Sequence, residues 1–516
     1  MKRRDFLKGS MASFIALLAS SEDLLAKVSS AEVTGAKGVI FLVGDGFPLG
    51  VMEMMYEFLE KRFKEESTLS KLLTHPNTSI HLTNTSSLSS VVTDSAPASV
   101  AWGTGSKTAN RFLSSLPDER KLTTIFELAK EKGLSCGVVT TTRITHATPA
   151  AWYSHQINRN LEEEIAVDLL KSGLDLAMGG GDRYFSPEKR KDKRDIYREF
   201  TNKGYNVVKT KSELTKIDLD KPILGVFSDS HISYFVDRVN DKKLGDVQPS
   251  LPEMTSLALQ KLSINRKGFV LQIEAGRIDH ACHANDAFGA MMDAYELDKT
   301  ITVIKEFIQK NPNVLLIITS DHGNSGFGIN GTGPDYNDAS DALMNYQNTA
   351  SFEYMIKKMK GETLDRVKDI FEFYTKQNIT NDEAEQLFKA LNEKRTYIDN
   401  DFVYEPEATM GLLLRKSRYN IGEGKYKLVK PAELRRGNVG FTSTNHTAED
   451  QLTIIYSAKK RLYYPSRIDN TDLFRVMTNH LGIKYKNTTM SQHQALNYLR
   501  TITAYEWDNY LRLHIS

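Results

Sequence analysis

The 516-residue chain has only two cysteines, Cys136 and Cys282. Two cysteines exclude a disulfide framework, and each reads more simply as a small buried hydrophobe. Charge of one sign is missing as well: 67 basic residues face 65 acidic ones. No strong field therefore points to nucleic acid or an anionic membrane, and small molecules are left as the expected partners. There is no internal repeat, no coiled-coil heptad and no low-complexity tract. The apolar run from Met11 to Ala19 is too short to span a bilayer. What is there is ordinary globular composition, 40% hydrophobic and 26% charged, on a chain long enough for two domains or for one large α/β core with insertions.

The chain opens MKRRDFLKGSMASFIALLAS. A basic start, a weak apolar core and later small residues read as an export signal over residues 1–31, with no clean A-x-A to fix its cleavage. Arg3 and Arg4 ahead of Asp5-Phe6-Leu7-Lys8 resemble the signal of the twin-arginine route. The expectation is an exported protein, periplasmic or extracellular, that crosses already folded, with metals inserted beforehand. No cysteine is placed for a lipid anchor.

Gly38 to Val43, GVIFLV, is a continuous apolar run, the mark of a strand buried on both faces. Similar runs recur at Cys136–Val139, Ile223–Phe227, Phe269–Ile273, Val314–Ile318 and Leu452–Tyr456. Helical patterns at Thr124–Lys132, Leu161–Leu170, Met254–Leu262 and Asp286–Gln309 separate them. Alternation of this kind predicts an α/β fold, a mainly parallel central sheet with helices on both faces. Ligands of such sheets bind beyond the carboxyl ends of the strands, which singles out Asp45, Thr148, Glu274, Asp321 and His322. Two stretches read as accessory. Lys189 to Arg194, KRKDKR, is expected to be a solvated turn or helix face. The interval from about 325 to 440 starts in a Gly/Asn/Asp-rich loop, continues with Glu- and Lys-rich amphipathic segments, and reads as a helical subdomain inserted into a domain spanning 32–516.

Chemistry concentrates at Val91 to Lys107, VVTDSAPASVAWGTGSK. Ser95 stands at a helix entrance with Pro97 in the first turn. Such a serine is a natural cap, but the same position offers unpaired N–H groups and a positive dipole end to a phosphate ester. Glu274-x4-Asp279-x3-His283 then puts a carboxylate at a strand end and an Asp and a His four apart, a spacing that lets both face one ion. Asp321-His322 follows a buried strand, and His446 stands in STNHTAED. Carboxylates mixed with imidazoles suit zinc, whereas the all-oxygen set Asp45, Thr148 and Glu274 suits magnesium.

These segments, in this order, resemble the alkaline phosphatase family: VGDG at Asp45, TDSAPAS at Ser95, THATPAAWYSHQINR from Thr145 to Arg159, EAGRIDHACH from Glu274 to His283, SDHG at Asp321 and NHT at His446. The resemblance runs from about Gly38 to Gly482, apart from the interval after Gly323. It implies hydrolysis of phosphate monoesters with two zinc ions and one magnesium. Asp279, His283 and His446 would hold one zinc and Asp45, Asp321 and His322 the second, while Asp45, Thr148 and Glu274 would hold the magnesium. Ser95 would be the nucleophile, Arg159 the phosphate clamp and Asp94 the residue that positions it. A homodimer is implied too. The chain departs from some members at His146 and His280, and its interval after Gly323 is long, with a lid, a dimer contact and a specificity cap all open as roles. A sulfatase would need an arginine where Ser99 stands. A diesterase or mutase on the same scaffold would lack the magnesium-type set. An exported binding protein without turnover is the reading from another class.

Overall fold

The computed structural model describes residues 37–331, 335–337, 339–392, 405–415, 419–422, 425–428 and 436–500; the expected export signal lies outside them. The fold is built around β1 (Gly38–Gly44), whose seven residues are all buried. Further strands are β2 (Thr78–Asn84), β3 (Ser135–Arg143), β4 (Leu176–Gly180), β5 (Asn206–Val208), β6 (Ile223–Val226), β7 (Phe269–Ala275), β8 (Val314–Thr319), β9 (Gln451–Ser457) and β10 (Arg467–Asp469). They form one sheet in the order β10-β2-β9-β8-β1-β7-β3-β4-β6-β5. β9 runs antiparallel to β2 and β8, and the other pairings of this sheet are parallel. The mainly parallel α/β sheet expected from the sequence is thus the one observed.

Alternation along β1 divides the interior into two layers. Ile40 and Leu42 face an apolar cluster that includes Met54, Leu259 and Leu297. Val39, Phe41 and Val43 face the other, where the Phe41 ring lies 5.1 Å from Trp102 and 5.4 Å from Trp152. The four expected helices are present as Ile125–Glu131, Glu162–Ser172, Leu251–Ser263 and Ala287–Lys310. Their starts are chemically marked: Thr124 and Glu127 close a capping box, as do Ser250 and Glu253, and the Asp286 side chain accepts from Gly289 N. Register aligns the strand ends, with Val43 opposite both Glu274 and Thr319, and Thr140 opposite Glu274. That alignment brings distant acids to one edge.

Not every element was readable. β2 carries its pattern inverted: Ser79, His81 and Thr83 point inward while Ile80 and Leu82 are 42% and 49% exposed, so apolar periodicity did not reveal it. The run Lys189–Arg194 is only partly a solvated turn, because Arg190 is buried, its guanidinium donating to the Glu163 and Tyr184 carbonyls and pairing with Asp192. In the interval after Gly323, the described residues form helices Ala339–Leu343, Phe352–Met359, Leu364–Thr375, Asn381–Asn392 and Pro406–Leu414. Met355, Val367, Phe371, Leu387 and Met410 join the same apolar cluster as the Ala287–Lys310 helix. Cys136 and Cys282 are both buried and free. Among the described residues no helix is long and apolar enough to cross a membrane.

Candidate active site

Ser95 is the first residue of helix Ser95–Thr104, and the cap is Asp94, whose Oδ1 accepts from Ala96 N at 2.7 Å. The sequence reading of Ser95 as a natural cap is therefore corrected by one residue. An acid in the extended conformation caps better here because its second oxygen also accepts from Arg111 N at 2.5 Å. The consequence is chemical: the Ser95 hydroxyl is not consumed by capping. It is buried, and its Oγ lies 3.3 Å from His322 Nε2.

Asp279 and His283 share helix Arg277–His283, and His446 is brought to them by a short antiparallel pair in which His446–Thr447 runs beside Gly323–Asn324. The Asn324 amide donates to Asp279 Oδ1 at 2.6 Å. His283 Nδ1 lies 2.5 Å from the Thr444 carbonyl and His446 Nδ1 2.9 Å from that of Thr93. A carbonyl only accepts, so each neutral ring carries its proton on Nδ1 and a lone pair on Nε2. Those two Nε2 atoms stand 3.0 Å apart, 3.4 and 3.7 Å from Asp279 Oδ1. Burial and then the neighbouring His322 push His446 down to about 4. Three lone-pair donors converging on one point is the arrangement a cation satisfies.

Beside it, Asp45, Asp321 and His322 are all fully enclosed. His322 Nε2 lies 3.1 Å from Asp321 Oδ2 and 3.7 Å from Asp45 Oδ1, and Gly46 N donates to Asp321 Oδ1 at 2.9 Å. Gly46 has φ +52°, and a Cβ there would meet Asp279 Oδ1 at 2.5 Å, so the turn after β1 tolerates no side chain. Burial, and then Asp321, Asp279 and Glu274, push the Asp45 carboxyl far up. Burial also pushes Asp279 up, but His283, His446 and His322 outweigh it and hold that carboxyl below its ordinary range. Four carboxylates packed this closely away from water demand positive charge.

A third pocket shares Asp45. Ligand atoms of Asp45, His146 and Glu274 lie within 4.8 Å of one another. Asp45 Oδ1 and Oδ2, Glu274 Oε1 and Thr148 Oγ1 are buried without a hydrogen-bond partner, and orphaned buried oxygens of this kind fit an oxygen-preferring cation. Glu274 Oε2 is turned away, accepting from the Thr140 and Thr142 hydroxyls. Arg159 closes the site: Nη1 donates to Asp94 Oδ1 at 3.3 Å and Nη2 to His146 Nε2 at 2.9 Å. All eleven residues singled out in the sequence thus come together. The sequence reading noted His146 only as a departure; its place two residues before Thr148 was the available signal. It missed Asn324, Thr140 and Thr142, whose hydroxyl and amide roles leave no pattern in a single sequence.

Fold and site together define a metal-binding α/β enzyme of the hydrolase class. The alkaline phosphatase family profile matches residues 36–483. Alkaline phosphatase 4 of Bacillus subtilis (strain 168) is 32% identical over 388 residues, 74% of this chain and 75% of its own, and alkaline phosphatase 3 of the same strain is 30% identical over 448 residues, 85% and 87%. The crystal structure of Thermus thermophilus alkaline phosphatase superposes with a TM-score of 0.82 at 36% identity, covering 90% of this chain and 95% of that one. The chain belongs to the alkaline phosphatase family, enzymes that hydrolyse phosphate monoesters.

Proposed function

We propose that the protein hydrolyses phosphate monoesters through a phosphoserine on Ser95, with two zinc ions and one magnesium. Asp279, His283 and His446 would hold one zinc, Asp45, Asp321 and His322 the other, and Asp45, Thr148 and Glu274 the magnesium. The observation that carries this reading is the convergence of unprotonated imidazole nitrogens and orphaned carboxylate oxygens around the buried Ser95 hydroxyl. When bound, the ions supply the positive charge that favours the serine alkoxide and the departing oxygen.

The chain's own residues then have defined tasks. Arg159 presents a planar fork that suits two non-bridging phosphate oxygens, and Asp94 holds it from behind. Asp94 also fixes the helix start, so the Ser95 Oγ meets the ester from a set direction while the first-turn N–H groups favour developing negative charge. Attack forms the Ser95 O–P bond as the alcohol oxygen leaves, and water later cleaves that bond to give inorganic phosphate. Trp102, on the same helix, and Trp152 are fully buried and both pack against Phe41 of β1, which seats the helix on the sheet.

Residues 1–31 would direct export by the twin-arginine route, residues 32–516 would form the catalytic domain, and 325–440 an inserted helical subdomain. The inverted strand β2, with Ile80 and Leu82 exposed on the outer face of the sheet, supports a homodimer covering that face, which light scattering on the purified protein tests. The function is tested by metal analysis of purified protein alongside p-nitrophenyl phosphate and bis-p-nitrophenyl phosphate. The monoester is expected to be much the faster and turnover to vanish with chelator. Faster diester cleavage, or a metal-free active protein, would contradict the reading.

A further inference from the structure

A second set of imidazoles borders Arg159. His146, His231 and His280 stand with ring centroids 5.5 Å (146 to 231), 5.7 Å (146 to 280) and 4.2 Å (231 to 280) apart. Each meets an arginine: Arg159 Nη2 at 2.9 Å from His146 Nε2, Arg143 Nη1 at 2.5 Å from His231 Nε2, and Arg277 Nη1 at 2.9 Å from His280 Nδ1. A guanidinium only donates, so each imidazole accepts through that nitrogen and, when neutral, turns an N–H to its other side. Three fixed tautomers give a wall of donors next to the phosphate clamp. Arg143 is itself gripped by Glu162 through two bonds of 2.8 and 2.7 Å. Arg277 is buried, lies over the Tyr234 ring at 3.8 Å and pairs with Glu353.

Glu353 belongs to the interval after Gly323, and it is the last of three consecutive residues tied to three different elements around the site. Ser351 N and Oγ donate to Asp237 Oδ1 and Oδ2, both at 2.7 Å, and Asp237 lies on helix Phe235–Asn240, which follows His231. Phe352 N donates at 2.9 Å to Asp286, the cap that follows His283. Glu353 pairs with Arg277, at the head of the helix that carries Asp279, His280 and His283. Asp237 and Asp286 are both buried.

We propose that Ser351-Phe352-Glu353 is a positioning clip. Through Arg277 it fixes the His280 ring, against which His231 packs, so that this wall of donors faces the outer oxygens of a phosphate held by Arg159. The clip rests on the reading of Arg159 as the phosphate clamp. It makes this part of the interval a fixed support of the active site, since two of its three ties end on buried carboxylates, and not a lid that opens at each turnover. His280 and His231 are positioned residues of the known reaction, and Glu353 and Arg277 act through them.

The test uses the metal-loaded full-length protein. Glu353 is 65% exposed at its side chain, so Glu353→Gln is expected to leave the thermal midpoint in place. Equilibrium dialysis against labelled inorganic phosphate is expected to show binding weakened about tenfold, with no further weakening when the same change is made in a His280→Ala background. Nitrogen-15 NMR of the histidine side chains should show His280 accepting at Nδ1 in the wild type and an averaged tautomer in Glu353→Gln. Unchanged phosphate binding, the same loss in both backgrounds, or an unaltered His280 signal would overturn the clip. Arg277→Lys, which keeps the charge and loses the fork, is expected to repeat the pattern and decides the matter should Glu353→Gln fail to fold. The NMR readout needs no turnover, so a protein that shows it yet releases no phosphate from monoesters sinks the phosphatase reading and leaves the clip standing.

Discussion

The two groups that flank Ser95 are built in different ways. Asp45, Asp321 and His322 are fully enclosed and come from the ends of neighbouring parallel strands β1 and β8, with Gly46 N locking Asp321. In the other group the side chains of His283 and His446 remain 34% and 16% exposed, and His446 rides on a two-residue strand. Sheet register fixes the first; backbone carbonyls of loops fix the second. The open group is the more accessible to solvent of the two, while the closed group lies directly against the serine through His322. Rigidity and access are thus divided between neighbours whose His322 and His446 rings stack at 3.5 Å.

The comparison breaks most sharply at the hydroxyl where the two groups meet. Ser95→Ala is expected to lower kcat by at least about 10³-fold with metal content per chain unchanged, as read by initial rates and elemental analysis. Next, removing one donor should separate the groups. His446→Ala is expected to weaken metal retention at the open group by at least about tenfold, and timed chelation of the wild type should release that ion before the enclosed ones; simultaneous release would erase the distinction. Arg159→Lys keeps the charge but not the fork and should cost about 10- to 100-fold in kcat/KM while leaving the order of metal release alone.

The smallest effect sharpens the account of the support behind the open group. Burial pushes Asp237 up to about 7, against its hydrogen bonds from Ser351 and with like-charged Glu353 and Asp286 adding to the rise. Because the folded value lies above the unfolded one, the folded state binds the extra proton between roughly pH 4 and 7. Asp237 therefore contributes stability that is present at acid pH and lost as pH rises through 7. Asp237→Asn, which still accepts from Ser351 N, should flatten that slope in thermal melts taken across the window. An unchanged slope would show that Asp237 is already ionised in the fold.

Much of this was legible in the sequence because the chemistry sits where local patterns are strongest. Uninterrupted apolar runs announced β1, β7 and β8, and the polar residues that end them, Asp45, Glu274 and Asp321, are the ones the register aligns. The spacing of Asp279 and His283 pointed to one shared site because one helical turn brings them together. What remained hidden depends on tertiary context. β2 turns its apolar residues outward, the Ser95 cap moved to Asp94 because Arg111 N claims a second carboxylate oxygen, and Arg190 is buried within a run that reads as solvated. The three residues that tie the interval to the site, Ser351, Phe352 and Glu353, are separated from their partners by 66 to 114 positions, and no periodicity spans such a gap.

The most direct measurement is acid-quenched incubation of the metal-loaded protein with labelled inorganic phosphate, followed by peptide mapping. The account predicts one labelled peptide, with the phosphate on Ser95 and none in Ser95→Ala. Label on another residue, or none at all in protein that turns over monoesters, would contradict it.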